Sequence, residues 1–249
     1  MNGGVWKTND AGRTWVPIFE DQPTGSIGSI VVAPSHPNIV FVGSGEGLHR
    51  PDLSTGDGVY RSVDDGRTWT RLGLNDAQQI PRIDVDPRNP NRLFVAALGH
   101  PYGPNDERGI FRSLDGGKTF QKVLHKDENT GGNDVDIDPV NPEVVYATLW
   151  EERQGPWENA VWAGTNGGIF KSTDGGTKWE PLYRRPFLSG YPGHLGRHRR
   201  WPDSRHRRWR ADLEGRNASG SRPLGQDLAD RRRALQSADG LCRSEHDPP

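Results

Sequence analysis

The sequence is poor in residues that commonly hold a chain of this length together. It has one cysteine and one methionine in 249 residues, and hydrophobic residues make up 31%. A single cysteine excludes intramolecular disulfides and metal sites built from several cysteines. No apolar run reaches the length of about 20 residues that a membrane-spanning helix needs. The chain has instead 32 glycines and 20 prolines, which is typical of short strands joined by many turns.

A second absence divides the chain near residue 184. Residues 184–249 lack valine, isoleucine, lysine and threonine but hold fifteen arginines and eight acidic residues. We therefore predict a folded domain over 1–183 and an Arg-rich tail over 184–249 that is disordered or is a frame-shifted reading of the gene. Arginine runs around Trp201 and Trp209 also suit nucleic acid, but no nucleic-acid-binding module is present, so this partner is not favoured.

One eight-residue phrase recurs four times in the folded part. Its copies are TNDAGRTW from Thr8, SVDDGRTW from Ser62, SLDGGKTF from Ser113 and STDGGTKW from Ser172, and their aspartates lie 54, 51 and 59 residues apart. Such a period indicates a repeat architecture. The aspartate can accept turn N–H groups, the glycine can take a positive φ, and the aromatic residue can bury apolar surface. We therefore assign a structural role to Asp10, Gly12, Trp15, Asp64, Gly66, Trp69, Asp115, Gly117, Phe120, Asp174, Gly176 and Trp179.

Four short segments rich in Val, Ile and Phe accompany each phrase. A proline-rich turn, such as DPRNPN from Asp86, separates the first two segments, and the phrase separates the last two. Four short antiparallel strands per repeat describe a propeller blade. We predict an all-β fold, a partial β-propeller of about three and a half four-stranded blades, with full blades over 26–73, 80–124 and 133–183. Because the chain opens on a third strand, we expect a fragment of a larger protein that carries the remaining blades.

The phrase matches the S/T-x-D-x-G-x-T-W motif, known as the Asp-box or BNR repeat. With the segments GGVWKT, GSGEG, GHPYGPNDERGIFRS and KDENTGG, the chain resembles bacterial BNR proteins labelled glycosyl hydrolases and the sortilin N-terminal propeller, over about residues 2–183. The resemblance implies a secreted or periplasmic β-propeller that binds carbohydrate or peptide and uses no cofactor. A glycoside hydrolase that uses loop carboxylates is the alternative function, and a sortilin-like protein-interaction scaffold is the third.

Up-and-down strands sort the connections of a blade onto two ends. The proline turns and Asp-boxes share one end, and longer loops of unequal length (43–58, 99–109 and 150–168) share the other with the inter-blade connections. Unequal insertions on one face are typical of a binding side. Aromatic rings beside carboxylates suit sugars, and two carboxylates across a cleft suit glycoside hydrolysis. The candidates are Glu46, Glu107 and Glu151 for catalysis, and Arg50, Arg82, Tyr102, Trp150 and Trp157 for ligand binding.

The sequence predicts no metal site. Asp134, Asp136 and Asp138 alternate along one predicted strand, which is compatible with a calcium ligand set. Asp138 however occupies the turn position before a proline, where an aspartate is expected for structural reasons. His49 and His100 lie in separate repeats and lack the short spacing of metal-binding histidines.

Overall fold

The computed structural model describes residues 3–47, 53–153 and 164–184. These ranges consist of strands, turns and irregular segments. They contain no helix that is long and apolar enough to cross a membrane. The Arg-rich tail lies outside the described residues beyond residue 184, so the interpretation of that segment stays a prediction.

The described strands form three four-stranded antiparallel sheets and one two-stranded sheet. Each four-stranded sheet keeps its strands in sequence order, as a propeller blade does, which confirms the predicted partial propeller. We number the sheets blades 1 to 4 along the chain. Blade 1 contains β1 (Trp6–Lys7) and β2 (Val16–Pro17), and blade 2 contains β3 (Ile27–Val32), β4 (Val40–Ser44), β5 (Val59–Ser62) and β6 (Thr70–Gly73). Blade 3 contains β7 (Arg82–Val85), β8 (Leu93–Ala97), β9 (Gly109–Ser113) and β10 (Gln121–Leu124). Blade 4 contains β11 (Thr130–Ile137), β12 (Val145–Glu151), β13 (Gly168–Ser172) and β14 (Glu180–Arg184).

The proline turn and the Asp-box of one blade meet at the same end of the sheet. In blade 2, the N–H of Asp65 donates to the carbonyl of Asn38 at 2.9 Å, and in blade 3 Gly116 donates to Asn91 at 2.8 Å. We call this end the turn end. The connections between second and third strands, and those between blades, lie at the opposite end, which we call the loop end.

The aspartate of each Asp-box closes its own turn. Asp64 Oδ1 accepts the Ser62 hydroxyl at 2.8 Å and the N–H of Thr68 at 2.9 Å, while its Oδ2 accepts the Thr68 hydroxyl at 2.6 Å. The Ser62 oxygen also accepts the N–H of Gly66 at 2.8 Å. Equivalent backbone bonds recur in the other three repeats, although Lys178 replaces the threonine in the fourth. These carboxylates are therefore engaged in holding the turn.

Apolar side chains pack between neighbouring blades. One cluster joins Phe41 of blade 2 to Ile83 of blade 3, and a second joins Phe94 of blade 3 to Val135 of blade 4. A smaller cluster packs Phe19, which follows β2, against blade 2. Because each sheet has apolar residues on both faces, the blades bury them only by stacking.

In blades 1 to 3, a basic residue near the end of the third strand reaches the next blade, and the sequence analysis did not predict this contact. Arg61 donates to the carbonyl of Gly116 at 3.3 Å, and Arg112 donates to that of Gly175 at 2.8 Å. Lys7 contacts the Asp65 carboxylate in the same way across blades 1 and 2. These contacts join successive Asp-box turns along the turn end.

The last aromatic residue of the phrase is partly buried where a preceding blade covers it. Trp69 donates its indole N–H to the carbonyl of Ile18 in blade 1 at 2.6 Å. Phe120 and Trp179 pack on the clusters between blades. Trp15 is 55% exposed, so the expectation that it buries apolar surface is wrong for this copy. The reason is that no described strand lies beside this face of blade 1.

The glycine of the Asp-box has a positive φ and, in blade 2, also a close neighbour in the preceding blade. Gly66 has a φ of 84°, and a Cβ placed there would lie 2.6 Å from Cδ1 of Ile18. Gly12 has a similar φ of 89°, but its nearest neighbour would be Trp15 at 4.0 Å. The two positions thus share a backbone conformation and differ in packing.

We expect Gly66→Ala to lower the free energy of unfolding by about 1–3 kcal/mol, because it adds a close contact with the end of the Ile18 side chain to the backbone strain. Gly12→Ala should lower the free energy of unfolding by about 1–2 kcal/mol, because it adds the backbone strain alone. Urea unfolding followed by circular dichroism measures both variants. Equal losses would show that the turn alone requires the glycine.

We also expect the fold to weaken in acid through its Asp-boxes. Hydrogen bonds from Thr68 lower the pKa of Asp64 to about 2, and those from Thr119 lower the pKa of Asp115 to about 2. A carboxyl with a depressed folded pKa contributes stability above its unfolded pKa, and this stability is lost as the pH falls through the folded value. The melting temperature should therefore fall between about pH 4 and pH 2.

The double variant Asp64→Asn, Asp115→Asn tests this expectation by thermal unfolding. Its melting temperature should be lower than that of the parent chain at pH 7, and it should decrease less as the pH falls. Glu180→Gln, on exposed β14, is the matched control and should keep the parent pH profile. If the double variant keeps the full acid sensitivity, the Asp-boxes are not its source.

Candidate functional site

One hydrogen bond of the same kind ties each inter-blade connection to the following long loop. Gly45 donates to the carbonyl of Ser26 at 2.8 Å, and Leu98 donates to that of Gln79 at 2.9 Å. In blade 4, the N–H of Glu152 lies 3.3 Å from the carbonyl of Asn129. Among the described residues, the loop end is therefore a row of paired segments: 18–26 with 45–47 and 53–58, 74–81 with 98–108, and 125–129 with 152–153 and 164–167.

The connection 74–81 has a strained backbone. Leu74 and Gln78 have φ values of 54° and 56°, which residues other than glycine rarely adopt. The carbonyl of Gln78 accepts the N–H of Gly56 at 2.7 Å, and Gln79 Nε2 donates to the carbonyl of Glu46 at 2.5 Å. Contacts with the blade 2 loop thus hold a costly backbone conformation, a feature that is common at functional sites.

The tip of this connection presents a polar cluster at the loop end. Asp76 Oδ1 lies 2.8 Å from His100 Nε2, and Asn105 Nδ2 donates to the carbonyl of Asp76 at 3.0 Å. Glu107 Oε2 accepts the N–H of Asp76 at 2.8 Å. These four residues come from two segments more than twenty positions apart in the chain, and we call them the Asp76 cluster.

The two carboxyl groups of the Asp76 cluster lie in different environments. Burial raises the pKa of Glu107, and the nearby charge of Asp76 adds to this rise, while the N–H groups of Asp76 and Ala77 oppose it. The Asp76 side chain is 66% exposed and pairs with His100. Two carboxyls whose environments differ in this way can divide the roles of proton donor and charged acceptor.

Arg108 lies beneath the loop end and connects three of its segments. Its NH2 group donates to the carbonyls of His100 at 2.5 Å and Gly103 at 3.0 Å. Its NH1 group reaches the carbonyl of Asn129 at 3.4 Å and the Glu152 carboxylate at 3.4 Å. Both charged side chains are fully enclosed. Burial lowers the pKa of Arg108, and the charge of Glu152 opposes this effect.

Open cavities lie at the loop end of the described residues. One of about 520 Å³ is lined by residues 23–25 and 53–57 and is rich in glycine and hydroxyl side chains. A smaller cavity of about 150 Å³ lies beside the buried pair and is lined by Asn129 and residues 151–153. Polar groups line part of both cavities, so both suit a polar ligand better than an apolar one.

The three predicted catalytic glutamates belong to three different blades. Glu107 is part of the Asp76 cluster, whereas Glu46 lies in the blade 2 loop, where its carbonyl accepts from Gln79. Glu151 ends β12, and its Oε2 accepts the N–H of Asn166, which precedes β13, at 2.8 Å. Their catalytic role stays a prediction.

The predicted ligand-binding residues are spread over the described part of the chain and beyond it. Tyr102 is 48% exposed in the same loop as His100. Trp150 is half-buried within β12, which extends further than the sequence indicated because it pairs with the long β11. Arg50 and Trp157 lie outside the described residues. Their roles in binding stay predictions.

Arg82 lies on the first strand of blade 3 and pairs with blade 4. Its NH2 group binds Asp136 Oδ1 at 2.7 Å, and its Nε lies 3.6 Å from Asp134. The alternating aspartates of β11 thus face a guanidinium, and Asp138 accepts the N–H groups of its own turn. In the described residues, no group of three or more His, Cys, Asp or Glu side chains has the geometry of a metal site.

The sequence analysis missed Asp76 and Asn105 as site residues. Both stand in short polar stretches, NDAQQ and PYGPNDER, that carry no recognisable motif. Only the register of blades 2 and 3 brings them together.

A family model supports this propeller assignment. The Sortilin-Vps10 model, described as sortilin, neurotensin receptor 3, matches residues 57–187, which is more than half of the chain. The chain belongs to the Sortilin-Vps10 family. This agrees with the resemblance noted for the Asp-box motif.

Curated relatives of this Sortilin-Vps10 chain include xyloglucanases and a vacuolar protein sorting/targeting protein. A xyloglucanase from Paenibacillus sp is 27% identical over 78% of the chain and 20% of the relative. The vacuolar protein sorting/targeting protein 10 of Sordaria macrospora is 24% identical over 55% of the chain and 9% of the relative. The chain therefore spans about a fifth or less of the length of these relatives.

Solved structures with the same fold include GH74 enzymes. The GH74 enzyme of Niastella koreensis gives a TM-score of 0.51 at 21% identity, with 72% of the chain and 26% of that structure covered. The GH74 xyloglucanase of Xanthomonas campestris gives 0.51 at 18% identity over 73% of the chain and 27% of that structure. At these identities the likeness supports the fold of the Sortilin-Vps10 segment.

We expect the stability of the loop end of this Sortilin-Vps10 segment to depend on Arg108. Arg108→Met should lower the free energy of unfolding by about 3–5 kcal/mol, because it removes the buried cation that faces the Glu152 carboxylate and bonds three carbonyls. Arg108→Lys keeps the charge but loses the planar fork that reaches several carbonyls, so an intermediate loss is expected. Urea unfolding of both variants measures the difference. A Met variant as stable as the parent chain would contradict the role assigned to this pair.

Proposed function

We propose that the loop end binds carbohydrate, and that its ligand is a decorated β-glucan of the xyloglucan class. The observation that carries the proposal is the Asp76 cluster, which shares a loop with the exposed Tyr102, in a chain whose curated relatives include xyloglucanases. Because the chain spans only part of those relatives, the activity of the whole protein belongs to the proposal. An extracytoplasmic setting, where such polymers occur, is part of it too.

The chemistry of the cluster supports a sugar ligand. Tyr102 offers an aromatic face on which the C–H groups of a pyranose ring can stack. Asp76, His100 and Asn105 offer acceptors and donors suited to hydroxyl groups on the same pair of segments. The strained connection and the buried Arg108 fix these segments, so little ordering is needed on binding.

Glycoside hydrolysis is the second candidate function. The observation that favours it is the contrast between Glu107, whose pKa is raised by burial, and the exposed Asp76. Glu107 would act as the acid and Asp76 as the base or nucleophile. Membership of the Sortilin-Vps10 family supports the third candidate, a protein-interaction scaffold that takes peptide ligands.

Titration calorimetry with xyloglucan oligosaccharides, cello-oligosaccharides and a mixed peptide pool tests the proposal. We expect xyloglucan fragments to bind and Tyr102→Ala to weaken them about ten-fold through lost stacking. Leu114→Ala, a truncation of an exposed side chain at the turn end, is the matched control and should bind like the parent chain. Binding of peptides alone would favour the scaffold over the proposal.

The same samples separate binding from hydrolysis. Release of reducing ends that Glu107→Gln abolishes, while oligosaccharide affinity is retained, would establish the second candidate. Binding without release would leave a carbohydrate-binding module. Release that persists in Glu107→Gln would exclude this residue as the acid.

A further inference from the structure

The two ring nitrogens of His100 have different roles in the Asp76 cluster. In a neutral imidazole one nitrogen carries the proton and donates, while the other accepts, and the hydrogen bonds of the ring decide which is which. The Nε2 atom of His100 lies 2.8 Å from Asp76 Oδ1. Because an ionised carboxylate accepts hydrogen bonds and cannot donate them, this contact places the imidazole proton on Nε2.

The other ring nitrogen of His100, Nδ1, is then an acceptor. Among the residues that the structure describes, no group forms a hydrogen bond with it. The His100 side chain keeps 27% of its surface exposed, so a ligand can reach the ring. An open acceptor at the loop end suits a hydroxyl group, which is the donor that a neutral sugar presents.

The backbone of His100 is held on both sides of its side chain. Its N–H donates to Asn105 Oδ1 at 3.3 Å, and its carbonyl accepts from the NH2 group of Arg108 at 2.5 Å. Gly99, directly before it, has a φ of 93°, and a Cβ at this position would clash with Arg108 and Asn105. The imidazole is therefore attached to a fixed segment of backbone.

Asp76 is fixed in the same way by groups of the neighbouring loop. Its N–H donates to Glu107 Oε2 at 2.8 Å, and its carbonyl accepts from Asn105 Nδ2 at 3.0 Å. The same amide nitrogen lies 3.4 Å from Asp76 Oδ2, which leaves Oδ1 facing His100. Blades 2 and 3, which these contacts join, each have all four strands, so the arrangement does not depend on the ends of the described chain.

We propose that Asp76 is a positioning residue for His100, and that Nδ1 of His100 accepts a hydroxyl group of the bound glycan. The proposal rests on the carbohydrate function proposed above and names an atom by which the loop end recognises its ligand. Asp76 acts through the histidine, because it holds the proton on Nε2 and thereby keeps a lone pair on Nδ1.

The variant Asp76→Asn separates this role from the shape of the side chain. The oxygen of the new amide is expected to face Asn105 Nδ2, as Asp76 Oδ2 does, so its NH2 group faces Nε2 of His100. Nε2 then has to accept a hydrogen bond, and the proton moves to Nδ1. The acceptor for the hydroxyl group is lost although the volume of the side chain is unchanged.

NMR correlation of carbon-bound protons with ring nitrogens in the 249-residue chain, labelled with 15N-histidine, tests the tautomer. At about pH 8.5, where histidine is neutral, the protonated and unprotonated ring nitrogens resonate far apart. The variant His100→Gln identifies the signals of this residue. We expect the proton on Nε2 in the parent chain and on Nδ1 in Asp76→Asn. Asp106→Asn, which changes an exposed aspartate of the same loop that pairs with Lys122, is the matched control and should keep the parent tautomer.

A xyloglucan oligosaccharide added to the same samples tests the contact with the ligand. We expect it to move the Nδ1 signal of His100 in the parent chain while Nε2 stays protonated. Asp76→Asn should bind the oligosaccharide about five-fold more weakly in titration calorimetry, because a neutral hydrogen bond is lost. Asp106→Asn should bind it like the parent chain.

Two kinds of result would overturn the proposal. A proton on Nδ1 in the parent chain, or a tautomer that Asp76→Asn does not change, would show that Asp76 does not position the ring. Oligosaccharide binding that leaves the Nδ1 signal unmoved, or that is equally tight in Asp76→Asn, would show that the hydroxyl group binds elsewhere. The expected tautomers without binding of any oligosaccharide would instead overturn the carbohydrate function, together with the role of Nδ1 in it, and leave Asp76 as the positioning residue of His100.

Discussion

Coverage of each blade by its neighbours is the constraint on which this structure depends. The repeated sheets have apolar residues on both faces, and a four-stranded sheet buries neither face alone. Ile110 of blade 3 is fully buried under blade 4, whereas its equivalent Ile169 in blade 4 is 42% exposed. The same residue type in the same strand position is thus core or surface according to what stacks on it.

The two ends of the blades have different structural roles. At the turn end, Asp-box carboxylates and hydroxyls satisfy their own turns, and Arg61 and Arg112 tie each turn to the next. Because these contacts are short-range and repeated, they set a rigid frame without help from the loops. At the loop end the segments differ in every blade, so polar groups such as those of the Asp76 cluster can gather on a fixed support.

Much of the fold could be predicted from the sequence, but little of the candidate site could. The phrase and its proline turn placed blade 3 at 80–124, and its strands run from Arg82 to Leu124. Turn chemistry is local, so a pattern of a few residues reports it faithfully. The contacts of Asp76 with His100 and of Arg82 with Asp136 join residues of different blades. No pattern within one repeat encodes them.

The sequence by itself determined the repeat, the four strands of each blade and the division of turns from loops, because these depend on spacing and local hydrogen bonding. Only the tertiary structure decided which side chains meet. It enclosed Arg108 with Glu152, left Trp15 exposed while Trp69 is partly covered, and uncovered Ile30 where Ile83 is buried. The physical reason is that burial and pairing depend on the stacking of sheets that are about fifty residues apart in the chain.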